Sequence, residues 1–219
     1  MMKLKIEYIV LILIFVLTAC NAWDESADVS EISYIPTFEL EGGQYLSYMV
    51  NELDTFIDPG AKAYENGEEI SVYTYGDTTV HPDKEGLYVV VYYTYNSYDM
   101  LGVEYRYISI TSEDVTQNDL SGDYTGTIWS PQVEMKVTKL NDKGYYKCGD
   151  VMGYPGAEMK GQFVDLGKHK LILLPGEGYF GKFAASEGAY TLSTLSWTIK
   201  LISEPYDGIA IDVAWYKNE

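Results

Sequence analysis

Past residue 33 the chain never holds an apolar i, i+3, i+4, i+7 pattern for three turns. Apolar and polar residues instead alternate at period two, between Gly, Pro and Asn/Asp punctuation, which predicts an all-β fold. The strongest segment is 86–96 (GLYVVVYYTYN), rich in β-branched and aromatic residues. Alternation sends Leu87, Val89, Val91, Tyr93 and Tyr95 one way and Tyr88, Val90, Tyr92 and Thr94 the other. Both sets are apolar enough for a central strand with one face on the core and one partly covered. After the loop 97–102, residues 103–111 (VEYRYISIT) are long enough to pair back as a hairpin.

The polar run 112–119 (SEDVTQND) breaks this pattern and predicts a boundary between a β domain at 34–112 and a second at 117–219. Strands in the second are expected near 123–128, 133–140, 145–151, 158–165, 170–174, 179–184, 195–202 and 209–216. The turns between them carry Asn, Asp, Gly and Pro, as in Asn141-Asp142-Lys143-Gly144. Many strands with short connections suggest an antiparallel meander that closes on itself and so hides its edges. A two-sheet sandwich satisfies the same pattern and stays open. Gly42-Gly43 and Gly176-Glu177-Gly178 read as turns.

Charge excludes one large class of partner. The chain has 33 Asp+Glu against 15 Lys+Arg, a formal net charge of −18, whereas nucleic-acid affinity comes from Lys and Arg displacing counterions. No nucleic-acid partner is expected. Residues 1–19 place Lys3 and Lys5 before an apolar run from Ile9 to Leu17, too short to span a bilayer at about 20 residues. This is a signal peptide and not part of the fold. Residues 20–33 form an acidic tether without periodicity, carrying Asp24, Glu25, Asp28 and Glu31.

Leu17-Thr18-Ala19-Cys20 resembles a bacterial lipobox. The resemblance implies cleavage before Cys20 and fatty acylation of its thiol, hence a membrane partner through a lipid anchor. The acids that follow resemble the surface-export signal of Bacteroidetes-type lipoproteins, which implies a bacterial outer membrane and its outer surface. Further on, Asp58-Pro59-Gly60-Ala61-Lys62-Ala63, Asn66-Gly67-Glu68-Glu69-Ile70 and residues 86–92 are similar to the bacterial immunoglobulin-like module named after a pesticidal crystal protein. That similarity covers 34–111 and implies an Ig-like β-sandwich acting as spacer or adhesive unit, with no catalytic residues. Asp119-Leu120-Ser121-Gly122-Asp123-Tyr124 resembles the start of a C-terminal β domain of unknown function behind such modules in Bacteroidetes lipoproteins. It also resembles the first strand of lipocalin-like barrels.

Catalytic sets are scarce. Only His81 and His169 could act as imidazole bases, and both read as solvated loop residues. No Gly-x-Ser-x-Gly, His-Glu-x-x-His or phosphate-cradling glycine loop occurs. Cys148 flanks a strand and reads as a small buried hydrophobe. Asn118, Asp119, Asp123, Asp142 and Asp150 cluster around turns without the alternating spacing of a calcium loop. No enzyme activity, metal or cofactor is expected.

The 22 tyrosines are more informative. Flat rings suit sugar recognition and give large contact area at low entropy cost. Tyr93, Tyr95, Tyr98, Tyr105 and Tyr107 are expected to form a ladder on one hairpin face. Among Trp129, Tyr154, Trp197, Trp215 and Tyr216, the mid-strand Trp197 and Trp215 belong to the core. Tyr154 and Trp129 sit by loops. Trp129, Tyr154, Tyr98 and Tyr95 are therefore the candidate ligand contacts. The reading is a non-catalytic surface lipoprotein, an Ig-like spacer followed by a β domain that binds a glycan or an outer-membrane protein. A barrel holding a small apolar ligand and a structural subunit of an outer-membrane complex are the alternatives.

Overall fold

The computed structural model describes residues 33–219 apart from Ser130. The predicted leader, Cys20 and the tether up to residue 32 lie outside the described residues. Pro36–Glu219 forms one compact unit, built of β-strands with a short 3-10 turn at Asp77–Thr79.

Residues 37–111 make two facing sheets. One has the order β1 (Thr37–Leu40), β3 (Ala61–Glu65), β4 (Glu68–Ile70), all antiparallel. The other has the order β2 (Tyr45–Met49), β7 (Leu101–Thr111), β6 (Gly86–Tyr95), β5 (Tyr73–Tyr75), with β2 parallel to β7. Val90 and Tyr92 of β6 and Ile108 and Ile110 of β7 are fully buried against Leu46, Phe56 and Val80. The alternation in 86–96 thus resolves as expected, with Val90 and Tyr92 inward.

One buried charge orders this half. The Arg106 guanidinium, fully buried on β7, pairs with the Asp58 carboxylate and donates to the carbonyls of Glu41, Gly43 and Gly60. The Tyr92 hydroxyl donates to the same carboxylate at 2.6 Å. Asp58 opens the Asp-Pro-Gly-Ala turn into β3, where Gly60 takes a φ of 93° that other residues rarely adopt. Arg106 therefore ties the two connections of the first sheet to a strand of the second.

Residues 122–217 close into an eight-stranded antiparallel barrel. Its strands follow chain order: β8 (Gly122–Gly126), β9 (Val133–Lys139), β10 (Tyr145–Cys148), β11 (Gly161–Gly167), β12 (Lys170–Leu173), β15 (Ser186–Tyr190), β16 (Thr194–Lys200) and β17 (Ala210–Lys217), which pairs back onto β8. A small hairpin, β13 (Gly176–Gly178) with β14 (Gly181–Phe183), lies between β12 and β15. Closure decides between the two architectures left open by the sequence, because each of the eight barrel strands is paired on both sides.

Two expectations are corrected here. The strand expected over 179–184 is not a barrel strand but the far arm of the β13–β14 hairpin, and Gly176–Gly178, read as a turn, is its near arm. The barrel strand in that region is β15, which the pattern does not signal because Ser-Glu-Gly-Ala-Tyr contains no β-branched residue. Gly188 at its centre faces Trp197 across the ladder. A Cβ there would lie 2.4 Å from the Ser196 carbonyl oxygen and 2.5 Å from Leu171 Cδ1. Packing, not propensity, selects the residue.

The barrel interior is solid. Leu195, Trp197 and Ile199 of β16 alternate inward to meet Phe163, Leu171, Val213 and Trp215, with Phe163 stacked on Tyr146 at 5.1 Å. Residues 115–121 close one end: Tyr146 and Tyr124 donate hydroxyl protons to the carbonyls of Asn118 and Leu120, and Asn118 Nδ2 donates to Asp165. Residues 149–160 close the other, with Val151, Met152 and Met159 buried in the core. Trp197 Nε1 fastens that loop by donating to the Val151 carbonyl at 2.7 Å. The alternative of a barrel holding a small apolar ligand fails on this packing.

Part of the barrel's outer surface is covered as well. Tyr145, Val164 and Leu166 are buried against Tyr45, Leu87 and Tyr107 from the outer face of the four-stranded sheet. Tyr145 donates its hydroxyl to the Leu46 carbonyl, and the Lys170 ammonium pairs with Glu85 at 2.7 Å.

Candidate functional site

In an up-and-down barrel every second connection falls at the same end. The β8–β9 connection that carries Trp129, the loops 149–160 and 201–209 and the β13–β14 hairpin consequently share one end. Each brings an aromatic side chain, and the rings touch in a chain. Trp129 meets Tyr154 at 5.1 Å between centroids, Tyr154 meets Phe180 at 5.3 Å, and Phe180 meets Tyr206 at 5.3 Å. Tyr179 packs on Phe180 at 5.0 Å. All four contacts are edge-to-face, the arrangement favoured by ring quadrupoles. Tyr179 is 71% exposed and Tyr154 39%, with Ile128, Ile202 and Ile209 exposed on the same loops. Trp129 Nε1 is buried and has no hydrogen-bond partner among the described residues.

Of the candidates read from sequence, the structure brings Trp129 and Tyr154 together here. Tyr95 and Tyr98 lie elsewhere. Tyr95 ends β6, half exposed, and Tyr98 sits on the following turn, held by an Asn96 side chain that accepts from its backbone N–H. The ladder expected on the hairpin face takes another form. Register sets Tyr93 opposite Val103 and Tyr105 opposite Val91, so rings alternate with aliphatic side chains across the strands. Ring contacts run along the strands and to their neighbours: Tyr93 to Tyr95, Tyr73 to Tyr93, Tyr105 to Tyr107 and Tyr107 to Tyr45. Tyr45 and Tyr107 are covered by the barrel, while Tyr73, Tyr75, Tyr95 and Tyr105 remain exposed. Burial pushes the Tyr107 hydroxyl up to about 12.

Sequence reading missed Tyr179, Phe180 and Tyr206. Their signal was available only through topology: once a meander is assumed, alternate loops must meet. Tyr73 and Tyr75 were missed because β5 is three residues long and precedes a polar stretch.

The remaining reactive groups are engaged or sequestered. Cys148 is buried in the barrel, and desolvation pushes its thiol up to about 12, so it stays protonated at neutral pH. Asp150 is buried and accepts the backbone N–H of Met152 at 2.9 Å. Asp165 is fully buried and accepts from Asn118 and from the Gly167 N–H. Burial holds both carboxyls above their ordinary value, with hydrogen bonds opposing it. Hydrogen bonds from the Ser121 side chain and backbone N–H to Asp119 lower its carboxyl. His81 and His169 are exposed, each edge-on to a tyrosine. What the ring cluster can do chemically is bind, through the exposed apolar rings of Tyr179 and Tyr154.

No protein-family model matches the chain, and no curated protein matches it. Among solved structures it is similar to the crystal structure of a lipoprotein from Bacteroides thetaiotaomicron, with 22% identity over 84% of this chain and 100% of that one, at a TM-score of 0.36.

Proposed function

We propose that this chain is a non-catalytic lipoprotein, held by acyl groups on Cys20 at the outer surface of a bacterial outer membrane. The sandwich serves as an Ig-like spacer over 34–112, and the barrel over 117–219 binds a glycan or a protein partner. The convergence of rings from four separate loops at one barrel end carries this reading. Loops on a rigid scaffold are where binding residues concentrate, and a solid barrel supplies the rigidity.

Lipidation is supported by the order of features around Cys20: basic start, apolar run, small residues, cysteine. Each acyl CH₂ buried in a bilayer contributes about 0.8 kcal/mol, so several chains on one residue anchor firmly. Mass spectrometry of the membrane form should find residue 20 at the N-terminus and acylated; an unprocessed leader would contradict the anchor. A glycan array probed with the protein should give binding to neutral polysaccharides. Silence there, with a stoichiometric protein recovered by pull-down from outer membranes, would move the reading to a subunit of a membrane complex. The exposed tyrosine face of the four-stranded sheet favours that second reading, because the same face already receives the barrel along Tyr45 and Tyr107.

A further inference from the structure

We infer that the outer wall of the barrel across β9, β10 and β11 is a second binding site, specific for anionic glycans. Lys136, Thr138, Lys147, Lys160 and Gln162 line a groove of about 680 Å³ there, floored by Gly149, within the size range of ligand sites. The topology explains the floor. Gly149 follows β10 and donates its N–H to the Lys136 carbonyl at 3.0 Å, while Lys160 precedes β11 one step beyond the Cys148–Gly161 pair. Lys136 and Lys160 thus flank a residue without a side chain. Lys147 stands in the next outward row, opposite Thr138 on one side and Gln162 on the other. Adjacent strands lie about 4.8 Å apart, so three ammonium groups share one small concavity.

The groove presents donors and no carboxylate. None of the three lysines forms an ion pair among the described residues, although acids outnumber bases more than two to one. Gln162 is oriented: the Tyr45 hydroxyl donates to its Oε1 at 2.8 Å, which leaves Nε2 as a donor. An adjoining cleft shares Lys160 and Gln162 and runs to the rings of Tyr45 and Tyr107, stacked at 6.0 Å. Ammonium groups for repeated carboxylates or sulfates, beside the Thr138 hydroxyl and the Gln162 amide for sugar hydroxyls, match an acidic polysaccharide. A nucleic acid would require many more phosphate contacts from a chain of this charge. At 0.1 M salt the distant acids are screened beyond about 10 Å, while contacts inside the groove persist.

The site is separate from the ring cluster at the barrel end, so the two can fail independently. Full-length chain in neutral detergent is titrated calorimetrically with polygalacturonate, dextran sulfate and neutral dextran. Binding of polygalacturonate identifies carboxylates, and binding of dextran sulfate identifies sulfates. Replacing Lys136, Lys147 and Lys160 together by Gln should weaken the anionic polymer about tenfold or more, since each charged hydrogen bond is worth that order. Lys84→Gln, at an exposed position outside both sites, should leave it unchanged. Gly149→Glu sets a carboxylate on the floor, where a Cβ has 3.8 Å of clearance from the Lys136 backbone, and should abolish binding. Equal affinity in wild type, the triple variant and Gly149→Glu, or no heat with either anionic polymer, would overturn the site and leave the ring cluster untouched.

Discussion

At the residue scale, two buried charges define different roles. Arg106 has no exposed surface, and its partner Asp58 is nearly buried. Removing one member of such a pair strands the other charge in a poorly solvated site. Arg106→Met should cost about 3–5 kcal/mol of folding stability by urea denaturation, and a loss near zero would show the pair to be incidental. Asp165 differs because burial raises its carboxyl above the 3.8 of an exposed aspartate, while Asn118, the Gly167 N–H and Tyr190 hydrogen-bond it and Glu113 opposes its charge. The native state therefore holds that proton more tightly than the unfolded chain. Its stabilising contribution is full below 3.8 and fades as pH rises through the raised native value. Against Asp165→Asn, the wild type should lose relative stability as pH climbs through that window. A pH-independent difference between the two would contradict the assignment. The Asp-Pro-Gly-Ala turn was visible in the sequence, but the role of its aspartate was not, because Arg106 lies 48 residues away.

At the scale of elements, strands rich in Val, Ile and Tyr were legible and strands chosen by packing were not. β6 and β7 follow the alternation closely. β15 exists because its neighbours require a narrow strand beside Trp197 and Leu171, and nothing local announces it. Gly188→Val would force atoms into the Ser196 carbonyl and Leu171, at a cost of about 1–3 kcal/mol or more from overpacking. Thermal unfolding tests this: an unchanged midpoint would mean that the strand has slack. Register was likewise hidden. Which rings face each other across β6 and β7 depends on the turn at Asn96, whose side chain accepts the N–H groups of Tyr98 and Met100. A one-residue shift would have given a different set of ring neighbours.

At the scale of the whole molecule, the two halves are joined by the buried contact of Tyr145, Val164 and Leu166 with Tyr45, Leu87 and Tyr107. The all-β class and the meander were readable from period-two patterning and turn residues. The covering of one tyrosine face by the barrel and the meeting of four loops were not, since both arise only after closure. That closure concentrates Trp129, Tyr154, Tyr179, Phe180 and Tyr206 at one end, and the account of this molecule as a binder rests there. The direct measurement is affinity electrophoresis of full-length wild type and a Tyr154→Ala/Tyr179→Ala variant in gels containing neutral polysaccharides such as dextran, xylan and galactomannan. The account predicts retardation of the wild type by at least one polysaccharide. It also predicts a drop of about tenfold or more in affinity for the variant, in line with aromatic anchors at binding sites, with the thermal midpoint little changed. Equal retardation of both proteins, or none of either, would contradict it.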